Sequence, residues 1–167
     1  MKTLILVRHA KSSWDEAGMS DSERPLNDRG KKDAPEMAKR LRKRGLKIDA
    51  LVSSHAERAF RTARFFAKEY DMKKDDIEVE KALYGALSSH FEGVVARLKE
   101  KYTTVALFSH NPGITDYANS LTNVRTDNIP TCGVFAVQAD VESWKEFAKA
   151  EKNFLFYDYP KNPLAAL

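Results

Sequence analysis

Strand-forming runs and helix-periodic stretches take turns along this chain, and that alternation restricts its fold more than any other feature. Thr3-Leu4-Ile5-Leu6-Val7 is a continuous run of strand length. Residues 10–26 follow neither period and hold Gly18, Ser20, Asp21 and Pro25, which predicts a loop. Asn27 is placed to cap a helix whose Ala34, Met37, Ala38 and Leu41 recur at i, i+3, i+4 and i+7, with Gly45 at its end. Pro35 inside that pattern is expected to kink the helix or delay its regular start. Ala50 to Ser54 reads as a second strand. Ala56 to Tyr70 reads as a second helix with Ala59, Ala63, Phe66, Ala67 and Tyr70 on one face, and Ile77 to Leu83 alternates as a third strand.

Phe91, Val94, Val95 and Leu98 form another helical stripe before the strand-like run Thr104 to Ser109. A helix is expected from near Pro112 to Leu121, a strand from Gly133 to Ala139, and an edge strand at Phe154 to Tyr157, with Pro160 to Leu167 a loose tail. Alternation of this kind predicts an α/β fold: a three-layer α/β/α sandwich around a mostly parallel sheet, one domain over residues 1–167. A chain of 167 residues is long enough to bury roughly 70% of its unfolded surface without a cofactor or disulfide. Cys132 is the lone cysteine, which excludes an intrachain disulfide and any multi-cysteine metal site and predicts a reducing, cytoplasmic setting. Only five residues separate Lys2 from Arg8, too few for a signal-peptide core or a membrane span.

The net charge of +4 is unevenly spread. Residues 29–47 hold nine Lys or Arg against Asp33 and Glu36, a local excess of +7 that leaves the rest of the chain at −3. Aromatic residues for base stacking are absent from this run, so a solvated helix face is favoured over a nucleic-acid surface. A nucleotide-binding loop of Walker or Gly-x-Gly-x-x-Gly type is also missing; none of the seven glycines is so arranged.

The first and fourth strand runs each end at a histidine: Arg8-His9 after one, His110-Asn111-Pro112 after the other. Ligands of open α/β sheets bind beyond the carboxyl ends of parallel strands, so these ends mark the predicted site. A phosphoryl group needs cations around its oxygens and a nucleophile in line with the leaving group. Arg8 and Arg58 supply the cations, since a guanidinium fork binds phosphate oxygens in pairs while staying charged. His9 is the expected nucleophile. Nearby Arg charges favour its neutral form, and a hydrogen bond from its other ring nitrogen to a backbone carbonyl would fix the reactive tautomer. His110 is expected to donate to the phosphoryl oxygens. Lys11 and Ser12 either touch phosphate or only begin the loop; Asn111 is either a helix cap or a substrate contact. His55 is expected to cap the helix carrying Arg58, His90 to lie on a surface turn, and Phe60, Phe65 and Phe66 to pack in the core. The four histidines show no metal-binding spacing.

Four segments, in order over residues 6–112, resemble the signatures of the histidine phosphatase superfamily. They are Leu6-Val7-Arg8-His9-Ala10-Lys11-Ser12, Arg24-Pro25-Leu26-Asn27-Asp28-Arg29-Gly30, Ser53-Ser54-His55-Ala56-Glu57-Arg58-Ala59 with Thr62-Ala63, and Ser109-His110-Asn111-Pro112. Small size and an ending with Tyr157, Asp158 and Pro160 look most like its SixA-like phosphohistidine phosphatase branch. The resemblance implies a phosphoglycerate mutase-like fold, Arg8, His9, Arg58 and His110 as catalytic core, and neither metal nor cofactor. One departure stands out: many relatives carry a Glu as proton donor after the third strand, whereas Leu83-Tyr84-Gly85-Ala86-Leu87 has no carboxylate. A phosphoramidate needs less help from a protein acid than an alkoxide, which favours a phosphohistidine protein as substrate. Asp15, Glu16 or Asp21 of the first loop are the alternative donors. Short connections leave little material for a lid over a small metabolite. The rival functions are a small-molecule phosphomonoesterase or mutase of the same superfamily, and a non-catalytic phosphoprotein-binding module that has no need of His9. The partner is a phosphorylated protein or a small phosphorylated metabolite, with neither nucleic acid nor membrane expected. The sequence leaves the oligomeric state open.

Overall fold

The computed structural model describes residues 1–14 and 18–163. In chain order the elements are β1 (Lys2–Arg8), α1 (Asp28–Lys43), β2 (Ala50–Ser53), α2 (Glu57–Glu69), β3 (Glu78–Val79), α3 (Ser88–Ala96), β4 (Thr104–Ser109), α4 (Gly113–Leu121), β5 (Val134–Ala139) and β6 (Lys152–Asp158). They build one sheet in the order β3-β2-β4-β1-β5-β6. The pairings from β3 to β1 are parallel, and β5 is antiparallel to both its neighbours. This mostly parallel sheet, covered by helices on both faces, is the three-layer α/β/α arrangement expected above.

Period-two alternation divides the core between the two faces. Leu4, Leu6, Val105 and Leu107 face Phe91 of α3 and Tyr117 of α4, whose rings stack at 4.9 Å. Ile5, Val7, Ala106 and Phe108 face Met37 and Leu41 of α1 and Phe66 of α2, with Phe66 edge-on to Phe108 at 5.2 Å. Each buried Leu, Ile, Val, Phe or Met among them contributes roughly 1.5–3 kcal/mol relative to exposure. β1 and β4 are buried along nearly their whole length, as central parallel strands covered on both faces must be.

Local chemistry sets the helix ends. The Asn27 side chain accepts a hydrogen bond from Gly30 N at 2.9 Å, capping α1, and Ala34, Met37, Ala38 and Leu41 are buried as their spacing predicts. Pro35 does not delay the helix, which is continuous from Asp28. The basic run is largely solvent-exposed, as expected, but three of its arginines make contacts within the molecule. Arg40 donates to the carbonyls of Tyr159 and Pro160, both at 3.1 Å, and lies 3.6 Å from the Asp158 carboxylate. Arg44 stacks on Phe156 at 3.9 Å, and Arg42 donates to the Glu69 carbonyl. The predicted loose tail is therefore tied down through Asn162, whose side chain also bonds Asp158; residues 164–167 lie outside the described residues.

Four local expectations are corrected. The third strand is only two residues long, because β2 stops at Ser53 and Glu80 N makes the last bond to the Ser53 carbonyl before Lys81–Leu83 turn into a 3-10 helix. Its alternating Ile77 and Leu83 are buried in opposite core clusters. His55 does not cap α2. It is exposed, with its ring against Tyr84 at 4.9 Å, and Ser54 Oγ accepts from Ala56 N instead. His90 lies in the first turn of α3, where its Nδ1 accepts from Leu87 N at 2.9 Å. Phe66 is fully buried, whereas Phe60 and Phe65 only border the core. Among the described residues no helix is long and apolar enough to cross a membrane.

Candidate active site

The sheet register brings the two predicted histidines together. β1 pairs with β4 so that Arg8 faces Ser109, and His9 N donates to Ser109 O at 3.1 Å. His9 and His110 each sit one residue beyond that pairing, and their rings come within 5.1 Å centre to centre. The other side of the β1 end is clamped as well, since Cys132 N bonds the carbonyls of Arg8 and His9 at 3.1 and 3.0 Å. Two glycines allow the close approaches that wall the site. A Cβ on Gly30 would meet the Lys11 carbonyl oxygen at 2.2 Å, and one on Gly113 would meet the Ala86 carbonyl oxygen at 1.9 Å.

His9 Nδ1 lies 2.8 Å from the carbonyl oxygen of Ala10. That carbonyl can only accept, so the proton resides on Nδ1 and the lone pair on Nε2. Burial, followed by the charges of Arg58, Arg8 and Arg24, pushes the ring's pKa down to about 3, against the opposing pull of the Ala10 carbonyl. The imidazole is thus neutral and nucleophilic at ordinary pH. Ala10 is itself held, its N donating to Thr62 Oγ1 at 2.9 Å, and Thr62 donates to the Arg58 carbonyl one turn earlier in α2. His110 Nε2 lies 2.6 Å from Ser54 Oγ at the end of β2. Burial and the neighbouring His9, Arg58 and Arg8 hold His110 near 3 as well.

A cavity of about 180 Å³ opens over these groups, lined by Arg8, His9, Arg58 and His110 together with Lys11, Ser12, Trp14, Arg24, Asn111 and Thr131. Among the described residues, Arg8 Nε, Arg58 Nε and His110 Nδ1 are buried without a hydrogen-bond partner, an unusual concentration of unsatisfied polar atoms at one place. A tetrahedral oxyanion offers acceptors to such a set. Among the described residues no group of three His, Cys, Asp or Glu is arranged to hold a metal ion.

The seven predicted site residues all line this cavity. Their hydroxyl and amide groups are committed differently from their guanidiniums and rings. Ser12 is buried and its Oγ accepts from Arg24 Nη1 at 3.1 Å. Asn111 Nδ2 donates to Asn128 Oδ1 and Ile129 O, and its Oδ1 accepts from Thr115 Oγ1 at 2.6 Å. Asn111 therefore braces the start of α4, whose cap position is Pro112. Lys11 is exposed at the rim.

Sequence reasoning assigned no site role to Arg24, Trp14, Ser54 or Tyr84. Arg24 is buried and supplies a third guanidinium, held by Asp21 at 3.1 Å and by Ser12. Asp21 is the hub: its carbonyl and Oδ2 accept from Arg58 at 2.7 and 3.0 Å, and Tyr84 donates to Oδ2 at 2.5 Å. The Tyr84 hydrogen bond first, then Arg58 and Arg24, hold the Asp21 carboxyl down at about 2. Asp21 is thus held as an ionised anchor for Arg58 and Arg24. Asp15 and Glu16, the other donor candidates, lie outside the described residues.

Residues 4–113 match the sequence family described as the histidine phosphatase superfamily (branch 1). An uncharacterized chloroplastic protein of Arabidopsis thaliana is 28% identical over 153 residues, covering 87% of this chain and 70% of that protein. A 2,3-bisphosphoglycerate-dependent phosphoglycerate mutase of Bartonella bacilliformis is 33% identical over 84 residues, covering 48% of this chain but only 39% of the mutase. Among solved structures, a SixA from Agrobacterium tumefaciens assigned as a phosphohistidine phosphatase superimposes with a TM-score of 0.80 at 22% identity, covering 95% of this chain and 98% of that one. The protein histidine phosphatase SixA complexed with tungstate gives 0.74 at 22% identity, over 95% and 97% of the two chains. At such identities the structural likeness establishes the fold. With the family spanning 110 of its 167 residues and that fold spanning nearly all of it, the chain belongs to the histidine phosphatase superfamily, branch 1.

Proposed function

We propose that this protein is a phosphatase that works through a covalent phosphohistidine at His9, and that its substrate is a phosphohistidine carried on another protein. The observation that carries the reading is the His9 ring: buried, kept neutral, and hydrogen-bonded through Nδ1 to Ala10 O, so that Nε2 holds the free lone pair. Nε2 attacks phosphorus, the bond from phosphorus to the substrate nitrogen breaks, and its electron pair returns to the departing ring. Water then attacks phosphorus, breaks the bond to His9 and releases inorganic phosphate. Arg8, Arg58 and Arg24 meet the charge on the phosphoryl oxygens, and His110 donates to them as that charge shifts, so the reaction calls on neither metal nor cofactor. Lys11 contributes at most long-range charge at the rim, while Ser12 and Asn111 shape the cavity through Arg24 and α4 rather than by direct contact.

Two features support the phosphohistidine substrate over a phosphosugar. Leu83 to Leu87 holds no carboxylate and Asp21 is held ionised, which suits a leaving group needing little protein acid. The cavity, about 180 Å³, is below the range of roughly 300–1,000 Å³ typical of small-molecule pockets, so it suits a phosphoryl group whose carrier stays outside. The SixA proteins that share the fold carry the same activity in their names. The buried Cys132 fits a reducing compartment such as the cytoplasm. Rapid mixing with a histidine-phosphorylated protein, quenched in base, should trap a base-stable, acid-labile phosphoryl group mapped to His9. Faster turnover of phosphosugars would instead favour the small-molecule reading, and binding without an adduct or phosphate release would leave only a phosphoprotein-binding module.

A further inference from the structure

The wall of the catalytic cavity has one member that phosphate chemistry does not explain. Trp14 is 74% exposed, and among the described residues it is the only exposed large apolar side chain lining that cavity. The rest of the wall is cationic, imidazole, hydroxyl or amide. A single exposed apolar residue is ordinary on a protein surface, but this one is stacked against a buried guanidinium. The guanidinium carbon of Arg24 lies 3.4 Å from the indole centroid. Arg24 is itself buried and tied by Ser12 and by Asp21, whose carboxylate offsets its charge at 3.1 Å. One indole face is therefore backed by a guanidinium tethered to Ser12 and Asp21, while the residue as a whole stays largely exposed. A rigid, half-covered aromatic ring at the mouth of an anion site is preorganised to stack on a flat group.

Resting on the phosphohistidine reading above, we propose that the open face of Trp14 seats the planar imidazole ring bonded to the substrate phosphorus. Trp14 is then a specificity residue that selects ring-bearing phosphoramidates over others. When the distal ring nitrogen carries a proton, the ring is an imidazolium, which a tryptophan face attracts through its quadrupole as well as by stacking. As the P–N bond breaks, the bonding pair neutralises that ring and imidazole departs with its distal proton. The cationic form is thus the bound one, so Trp14 acts mainly on KM.

Two donors isolate the ring: phosphoimidazole and phosphoramidate itself both carry a P–N bond, but only the first has a heterocycle. The comparison uses the full chain and its Trp14→Ala and Trp14→Phe variants, measuring KM, kcat and the base-stable adduct at His9. The expected result is that Trp14→Ala raises the KM for phosphoimidazole about tenfold more than that for phosphoramidate, with Trp14→Phe keeping most of the parental preference. Equal changes in the two KM values, or none, overturn the role of Trp14 while an adduct at His9 leaves the catalytic reading standing. Absence of the adduct with both donors overturns the two together.

Discussion

Asp21 grips Arg58 at two points, its backbone carbonyl accepting from Nη1 at 2.7 Å and its carboxylate from Nη2 at 3.0 Å. The guanidinium at the floor of the cavity is thereby aimed by a residue of the first loop, 37 positions away in sequence. Releasing it gives the site more net positive charge but loses the fixed orientation, and orientation governs a transition state more than charge alone does. Asp21→Ala is expected to lower kcat by about tenfold with a smaller change in KM. Steady-state kinetics on a phosphoramidate checks this; an unchanged kcat would show that Arg58 is positioned by other groups. The folded carboxyl is depressed from 3.8 to about 2, so the contact's stabilisation is complete above about pH 4 and fades as pH falls towards 2. Activity measured between pH 5 and 8 should therefore carry no signature of Asp21.

The two site imidazoles give a pH dependence of the same sign in a higher pH window. His9 and His110 are each held near 3 in the folded protein against 6.5 as unperturbed side chains. Between those values the unfolded chain binds protons that the folded chain refuses, so stability falls as pH drops from about 6.5 towards 3 and is full above 6.5. Thermal melts at pH 7.5 and pH 5 should show a lower Tm at the acid value, and the His9→Gln/His110→Gln double variant should show a smaller difference. Imidazole signals from His9 and His110 in NMR titrations should stay at their neutral positions between those two pH values. Titration of either ring near pH 6.5 would contradict the burial and charge that surround it.

Much of this site was legible because its main parts obey short-range rules. Apolar runs ending in Arg8-His9 and Ser109-His110 became the paired strands β1 and β4, and a parallel register one residue short of each histidine was enough to bring the rings together. The apolar stripe Ala34, Met37, Ala38 and Leu41 likewise needed only helical periodicity. Arg24 and Trp14 escaped, and Asp21 was named only as a proton donor and not as an anchor for Arg58, because all three occupy the aperiodic loop, where position depends on contacts made elsewhere. Tyr84 meets Asp21 across 63 residues, and no local pattern encodes that distance. The third strand was overestimated for a related reason. Alternation in Ile77 to Leu83 records burial of its two ends, whereas strand length is set by a partner, and β2 ends at Ser53.

Gly30 is the point at which α1 touches the loop that follows the nucleophile. A methyl group there would lie 2.2 Å from the Lys11 carbonyl oxygen and 3.0 Å from Lys11 N, both backbone atoms that cannot rotate away. Gly30→Ala should cost about 1–3 kcal/mol of stability and lower kcat, because Lys11 is two residues from His9. Gly93→Ala in α3 is the control: its nearest neighbour is the end of the flexible Arg97 side chain at 3.3 Å, and replacing a helical glycine gains roughly 0.5–1 kcal/mol. Denaturant titration of both variants decides the matter, and a Gly30→Ala protein as stable as its parent would refute the close approach.

The basic run of residues 29–47 makes the last test, since its charge alone is compatible with a polyanion surface. Arg40 is a structural strut: it bonds the Tyr159 and Pro160 carbonyls and faces Asp158, which is only 3% exposed. Removing it leaves Asp158 with the more distant Arg44, at 3.9 Å, and with its hydrogen bonds from Tyr159 N and Asn162. A buried carboxylate deprived of its nearer cation is costly, so Arg40→Ala should destabilise the protein by about 2–4 kcal/mol. Lys31→Ala and Lys32→Ala on the exposed side of α1 should change stability by less than about 0.5 kcal/mol. None of the three should alter kcat, because the run lies outside the cavity lining. If the exposed lysine variants proved as destabilising as Arg40→Ala, the internal bonds of Arg40 would not account for its charge being there.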